Sequence, residues 1–176
     1  MILHFVRHGQ TDFNISHRLQ GIAIDEPLNE TGTKEMIDLL PHLPKDFEVI
    51  YSSPLKRVLM SAEIISKDSS KPIVTKTEIS ERDFGSLAGK TWDEIPNGRE
   101  LQAIDKQHKY DYRPYGGEAV EDVEKRLNNF FEDAKLSGYK SALVVSSIGI
   151  IRLVYKILKG EHVTEVKNAS VHTFEI

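Results

Sequence analysis

With 176 residues, 39% of them hydrophobic and 28% charged, the chain can bury one sizeable core and is too short for two ordinary domains, so residues 1–176 are expected to form a single domain. A net charge of −4 argues against the broad cationic surface that nucleic acid requires, and the absence of cysteine removes disulfides, thiolate nucleophiles and cysteine-ligated metals. No stretch approaches the ~20 apolar residues of a membrane span, and His4, Arg7 and His8 break up the apolar run that a secretory leader needs, so a cytoplasmic protein with no membrane partner is expected.

Ile2 to Val6 reads as a buried strand, broken by Gly9. A polar loop runs from Gln10 to Glu30. Asn29 or Thr31 then caps a helix carrying Met36, Ile37, Leu39 and Leu40, which Pro41 and Pro44 end. Val49-Ile50-Tyr51 reads as a short strand. Ser52 or Ser53 is expected to cap the following helix, with Pro54 in its first position and Leu55, Val58, Leu59, Ala62 and Ile65 as its apolar stripe. Pro72-Ile73-Val74 is a further strand, and residues 81–115 read as loop with a short helix over the sheet. Val120, Val123, Leu127, Phe130, Phe131 and Ala134 mark an amphipathic helix. Ala142-Leu143-Val144-Val145 is apolar throughout, as in a strand buried on both faces. A helical pattern resumes from Ile148 to Leu158, and Val171 to Ile176 alternates like a closing strand. This alternation predicts an α/β fold, a mainly parallel sheet with helices on both faces.

The chemistry-bearing residues sit where strands end. Arg7 and His8 follow the first strand, and ligands of open α/β sheets bind at the carboxyl ends of strands. A guanidinium fork suits a phosphate. A neutral imidazole beside it can attack phosphorus, and neighbouring guanidinium charge disfavours the imidazolium form. Gly9, Thr11, Asn14, Gln20 and Gly21 offer hydroxyl, amide and backbone donors to the same anion. At Ser52-Ser53-Pro54-Leu55-Lys56-Arg57 a strand runs into a helix whose first N–H groups face an anion site, with Arg57 as a second clamp. Glu81, facing a phosphate dianion, is expected to lean toward its protonated form and to donate that proton to a leaving oxygen. Each feature also has an ordinary alternative: a structural strand-end histidine, a polar turn, a surface arginine, a glutamate paired with Arg82. Ser147 in Ser146-Ser147-Ile148-Gly149 looks like half of a nucleophile elbow, but Val145 stands where that motif needs glycine.

Taken in order, Arg7-His8-Gly9, Asn14, Gln20-Gly21, Ser53-Pro54-Leu55-x-Arg57, Glu81-x-x-Phe84-Gly85, Gly116-Gly117-Glu118 and Asn168-Ala169-Ser170 resemble the histidine phosphatase superfamily, the phosphoglycerate-mutase-like family, from residue 3 to the C-terminus. The resemblance implies a three-layer α/β/α sandwich. It implies that His8 takes the phosphoryl group as phosphohistidine, which water then hydrolyses. Arg7 and Arg57 would hold the phosphoryl oxygens with help from Asn14 and Gln20, and Glu81 would be the proton donor. Gly117 and Glu118 would support the pocket. No cofactor or metal is implied. The short chain is similar in its proportions to phosphatase members of the α-ribazole and broad-specificity types rather than to mutases.

One position departs from that family. Ser147 stands where the family pattern has a second histidine, so a neutral hydroxyl replaces an imidazole that would stabilise the transition state. Loss of one such preorganised donor costs about 10²–10³ in turnover elsewhere. His17, in the loop after the first strand, is the nearest substitute in sequence. Two accounts of Ser147 stand side by side, a natural divergence and an engineered His-to-Ser exchange. The leading reading is a metal-independent phosphomonoesterase slowed or altered at Ser147. The alternatives are a non-catalytic phospho-ligand binder on the same fold and, more remotely, a phosphoglycerate mutase. The expected partner is a small phosphorylated substrate, contacted through residues 85–117, and the protein is expected to be a monomer or homodimer.

Overall fold

The computed structural model describes residues 1–176. Five strands form one sheet: β1 (Ile2–Arg7), β2 (Val49–Ser52), β3 (Ile73–Thr75), β4 (Ser141–Ser146) and β5 (Val171–Glu175). Their spatial order is β3-β2-β4-β1-β5. All neighbours run parallel except β5, which is antiparallel to β1. Six helices surround the sheet: α1 (Asp12–Ile15), α2 (Glu30–Leu39), α3 (Lys56–Ser69), α4 (Gly98–Lys106), α5 (Val120–Leu136) and α6 (Ile148–Lys159).

The pleat sorts the central strands between two cores. Leu3 and Phe5 of β1 with Ala142 and Val144 of β4 face the α5 and α6 side, where Leu127, Phe130 and Ile150 are fully buried. Val6, Leu143 and Val145 face the other way, against Met36 of α2 and Val58, Ala62 and Ile65 of α3. Every residue of β4 is buried, as its unbroken apolar run requires of a central parallel strand. This is the three-layer α/β/α arrangement. No helix is long and apolar enough to cross a membrane.

Three local expectations are corrected. The loop after β1 holds the short helix α1, capped by a reciprocal pair in which the Thr11 hydroxyl accepts the Asn14 N–H and the Asn14 side chain accepts the Thr11 N–H. Helix α3 begins at Lys56 rather than Pro54, and neither Ser52 nor Ser53 caps it. The Ser53 hydroxyl accepts the Leu55 N–H inside the preceding turn, and Asp25 from the distant loop accepts the Lys56 N–H at 2.6 Å. Sequence reading misses this cap because it is tertiary. Ile37 is 51% exposed, while its neighbour Met36 is fully buried. Adjacent helical positions lie about 100° apart, so both cannot face the core. Asn29 does cap α2, accepting the Gly32 N–H.

The start of α2 lies directly against the segment that follows β1. A side chain at Gly9 would meet the Gly32 carbonyl, and one at Gly32 would meet the Gln10 backbone. Two bare backbones therefore fix the height of the His8 loop. Gly32→Ala is expected to lower stability by about 1–3 kcal/mol through overpacking, read as a shifted urea midpoint at unchanged m-value.

Candidate active site

A cleft of about 250 Å³ opens at the carboxyl ends of β1, β2 and β4. Residues after β1 contribute Arg7, His8, Asn14 and Gln20-Gly21, and the start of α3 contributes Arg57. The loop after β3 contributes Glu81 and Arg82, α6 contributes Ile148 and Arg152, and α4 covers the cleft with Gln102, Asp105 and Lys106.

His8 is 2% exposed. Its Nδ1 lies 2.7 Å from the Gly9 carbonyl oxygen. A carbonyl only accepts, so Nδ1 carries the proton and the Nε2 lone pair is left for the cleft. Burial holds the ring's pKa well below its usual value, and the charges of Arg57 and Arg7 reinforce this against the Gly9 bond. The Asn168 side chain donates to the His8 carbonyl at 2.9 Å, tying the loop before β5 to this residue.

The two guanidinium groups are held by backbone oxygens. Arg7 donates to the Val166 carbonyl at 2.5 Å. Arg57, 1% exposed, donates to the carbonyls of Ile24 and Gly21 at 3.0 and 2.8 Å. The Nε atom of each is buried without a partner. Burial pushes the Arg7 pKa down to about 10, with Glu81 opposing, and lowers that of Arg57 as well. Both stay cationic at neutral pH.

Glu81, also buried, is fixed from two elements. Its carboxylate accepts the Arg82 N–H at 2.9 Å, the Gly149 N–H at 3.1 Å and the Arg82 guanidinium at 3.4 Å. The backbone that carries it is pinned by Arg126 of α5, which donates to the carbonyls of Glu78, Ser80 and Glu81 while paired with Glu118 at 3.0 Å. Glu118 also accepts the Asp83 N–H at 2.9 Å. A side chain at Gly117 would strike the Asp83 carbonyl.

Arg7, His8, Asn14, Gln20, Gly21, Arg57 and Glu81 thus share one cleft. Gly9, Thr11 and Ser147 do not line it. The Gly9 N–H donates to the Ser61 hydroxyl at 3.2 Å, and Thr11 is occupied by Asn14 and by the Gln20 side chain at 2.9 Å. Ser147 precedes α6 and is buried, with a hydroxyl that has no partner. His17 is exposed and lines a neighbouring groove instead. No group of three or more histidine and acidic side chains is arranged to hold a metal ion.

Sequence reading gave no role to a second charged group. Arg82, 6% exposed, bonds Asp105 at 2.8 Å, and Arg152 of α6 reaches the same carboxylate at 3.4 Å. The Tyr112 hydroxyl donates to Asp105 at 2.8 Å. Burial opposes the Arg82 charge, but Asp105 and Glu81 outweigh it and hold its pKa above the usual range. The Arg82 guanidinium lies 4.8 Å from the Phe84 ring centre. Four residues far apart in sequence make this group, so no local motif announces it.

The sequence model of the Histidine phosphatase superfamily (branch 1) matches residues 3–176. A metal-independent phosphoserine phosphatase of Arabidopsis thaliana is 31% identical over 97% of this chain and 74% of its own length. Phosphoserine phosphatase 1 of Hydrogenobacter thermophilus is 29% identical over 90% of this chain and 76% of its own. Among solved structures, a mycobacterial glucosyl-3-phosphoglycerate phosphatase complexed with VO3 superposes with a TM-score of 0.86 at 24% identity, covering 98% of this chain and 91% of that one. That likeness speaks for the fold. A phosphoglycerate mutase from Thermus thermophilus gives 0.79 at 27% identity, over 98% and 92%.

The protonation of His8 sets a pH dependence. The unfolded ring takes a proton near pH 6.5, whereas the folded ring resists until far lower. The unfolded chain then binds more protons, so stability is full above pH 6.5 and is lost as pH falls below it. His4, His108 and His172, all lowered by burial, act in the same direction. Urea unfolding at pH 7, 6 and 5 is expected to show this loss, and His8→Asn, whose amide nitrogen can replace Nδ1, is expected to reduce its slope.

Proposed function

The chain is a phosphatase of the histidine phosphatase superfamily, branch 1, and we propose that it is a metal-independent phosphomonoesterase acting through a phosphohistidine on His8. One observation carries this reading: a buried, neutral imidazole whose Nε2 lone pair is left for a cleft that also holds Arg7 and Arg57.

In the first step the Nε2 lone pair attacks phosphorus. The bond from phosphorus to the ester oxygen breaks, and the leaving oxygen takes a proton from the Glu81 carboxyl. In the second step water attacks the phosphohistidine, gives its proton to the Glu81 carboxylate and releases phosphate with Nε2 restored. Arg7 and Arg57, which both line the cleft, neutralise the phosphoryl oxygens. The Asn14 side-chain oxygen is spent on the Thr11 N–H, which leaves its NH₂ for an anion. Gln20 has a buried side-chain oxygen without a partner.

Ser147 enters this scheme as the residue at the second-histidine position, where it supplies no charge. Hydrolysis of an aryl phosphate is expected to rise by about 10²-fold in Ser147→His and to vanish in His8→Asn. Absence of turnover of every phosphomonoester by both the native chain and Ser147→His would reject the enzymatic reading.

The second reading, a binder that does not turn its ligand over, is favoured by the Ser147 hydroxyl, unpartnered where the family resemblance leads one to expect an imidazole. Incubation with a labelled phosphomonoester separates the two. Acid-labile phosphate on His8 is the expected outcome, and saturable binding without label supports the binder.

A further inference from the structure

The cleft does not end at the phosphoryl site. A second groove of about 390 Å³ continues from it between α1 and α4, lined by Gln10, Phe13, His17 and Asn168. Arg7, Asn14, Arg18, Trp92 and Gln102 line both cavities, so one molecule can occupy cleft and groove together. The volume falls within the ~300–1,000 Å³ of ordinary ligand sites, whose walls are mostly apolar. This groove is the reverse, because only two of its nine lining residues are hydrophobic.

Four carboxamides set the chemistry of the groove. The Gln102 side chain makes no hydrogen bond within the chain, so it offers both donors and an acceptor. The Gln10 side-chain oxygen accepts from Asn29 at 3.2 Å, which leaves its NH₂. The Asn14 oxygen accepts the Thr11 N–H, which leaves its NH₂ as well. Asn168 donates to the His8 carbonyl and keeps its own oxygen. Donors and acceptors thus stand side by side, as a hydroxyl, which is both, requires. Phe13 and Trp92, each half-buried, add apolar surface for the C–H faces of a carbon chain or ring. The charges of the groove are answered. The carboxylates of Glu81 and Glu35 act on Arg7, and Arg18 pairs with Glu94 at 2.9 Å. His17 is exposed to water. Selection in the groove therefore rests on hydrogen bonding rather than on net charge.

We propose that the carboxamide groove receives the uncharged, hydroxyl-bearing arm of a phosphorylated polyol or sugar whose phosphoryl group sits on Arg7. The proposal rests on the phosphatase reading for that phosphoryl end. Hydrolysis then releases phosphate and the free polyol. An arm without hydroxyls displaces water from the four carboxamides and returns no hydrogen bonds, and that penalty is the source of discrimination.

The test is a calorimetric titration of the full chain with non-hydrolysable phosphonates. 2,3-Dihydroxypropylphosphonate is compared with propylphosphonate, and pentahydroxyhexylphosphonate with hexylphosphonate. At least one hydroxylated ligand is expected to bind about tenfold tighter than its alkyl match, and inorganic phosphate is expected to displace it. The ratio is expected to hold as salt is added, because both members of a pair carry the same charge. It is expected to fall toward one in Gln102→Leu or Gln10→Leu. Ratios near one for both lengths, a ratio that survives both substitutions, or a hydroxylated ligand that inorganic phosphate does not displace overturns the proposal. Binding is read without turnover, so the two readings fail separately. A chain that shows the preference but hydrolyses nothing loses the enzymatic reading alone, and one that hydrolyses phosphomonoesters without the preference loses the groove alone.

Discussion

The hydrogen bond from His8 Nδ1 to the Gly9 carbonyl decides what the rest of the site can do. It is a contact between adjacent residues, 2.7 Å long, and it chooses the tautomer. Without it the lone pair could sit on either nitrogen. With it, the Nε2 lone pair and the buried guanidinium groups belong to one cleft. The bond also needs the carbonyl of residue 9 to be held still. That carbonyl is placed by the close packing of Gly9 on Gly32 and by the Ser61 hydroxyl that takes the Gly9 N–H. A short-range choice of proton position therefore depends on three separate elements.

The sheet supplies the convergence. β1, β2 and β4 lie side by side and parallel, so their carboxyl ends deliver His8, the turn before Arg57 and the turn before α6 to one edge. Glu81 comes from a loop, and the loop is made rigid from behind by Arg126 and Glu118. Five hydrogen bonds to carbonyl and carboxylate oxygens saturate that single guanidinium. Its work is structural although it sits beneath the Glu81 carboxyl group.

Much of this was legible before any coordinates. The apolar run at 142–145 and the alternation of strands and helices gave the layered fold, because burial on both faces leaves no polar position in a central strand. His8, Arg7, Arg57 and Glu81 were legible as a group through the ordered motifs that resemble the histidine phosphatase pattern, and the structure brings all four to one cleft. What escaped was tertiary. Asp25 caps α3 from another loop, so no serine beside the helix could reveal its true start. Gly9 and Thr11 look like anion donors in sequence, yet their groups are used inside the protein. The Arg82–Asp105–Arg152 group assembles from three segments, and charged residues scattered through a sequence carry no sign of which will meet.

Gly149 has the widest reach for its size. Its missing side chain leaves the hollow into which the Arg82 guanidinium and the Glu81 carboxyl group both project, and its N–H grips that carboxyl group. A methyl group at 149 would press on both at once, on the Glu81 carboxyl group and the Arg82 cation together. The first turn of α6 and the 81–82 dipeptide are accordingly one packed unit, in which neither part has room to change alone.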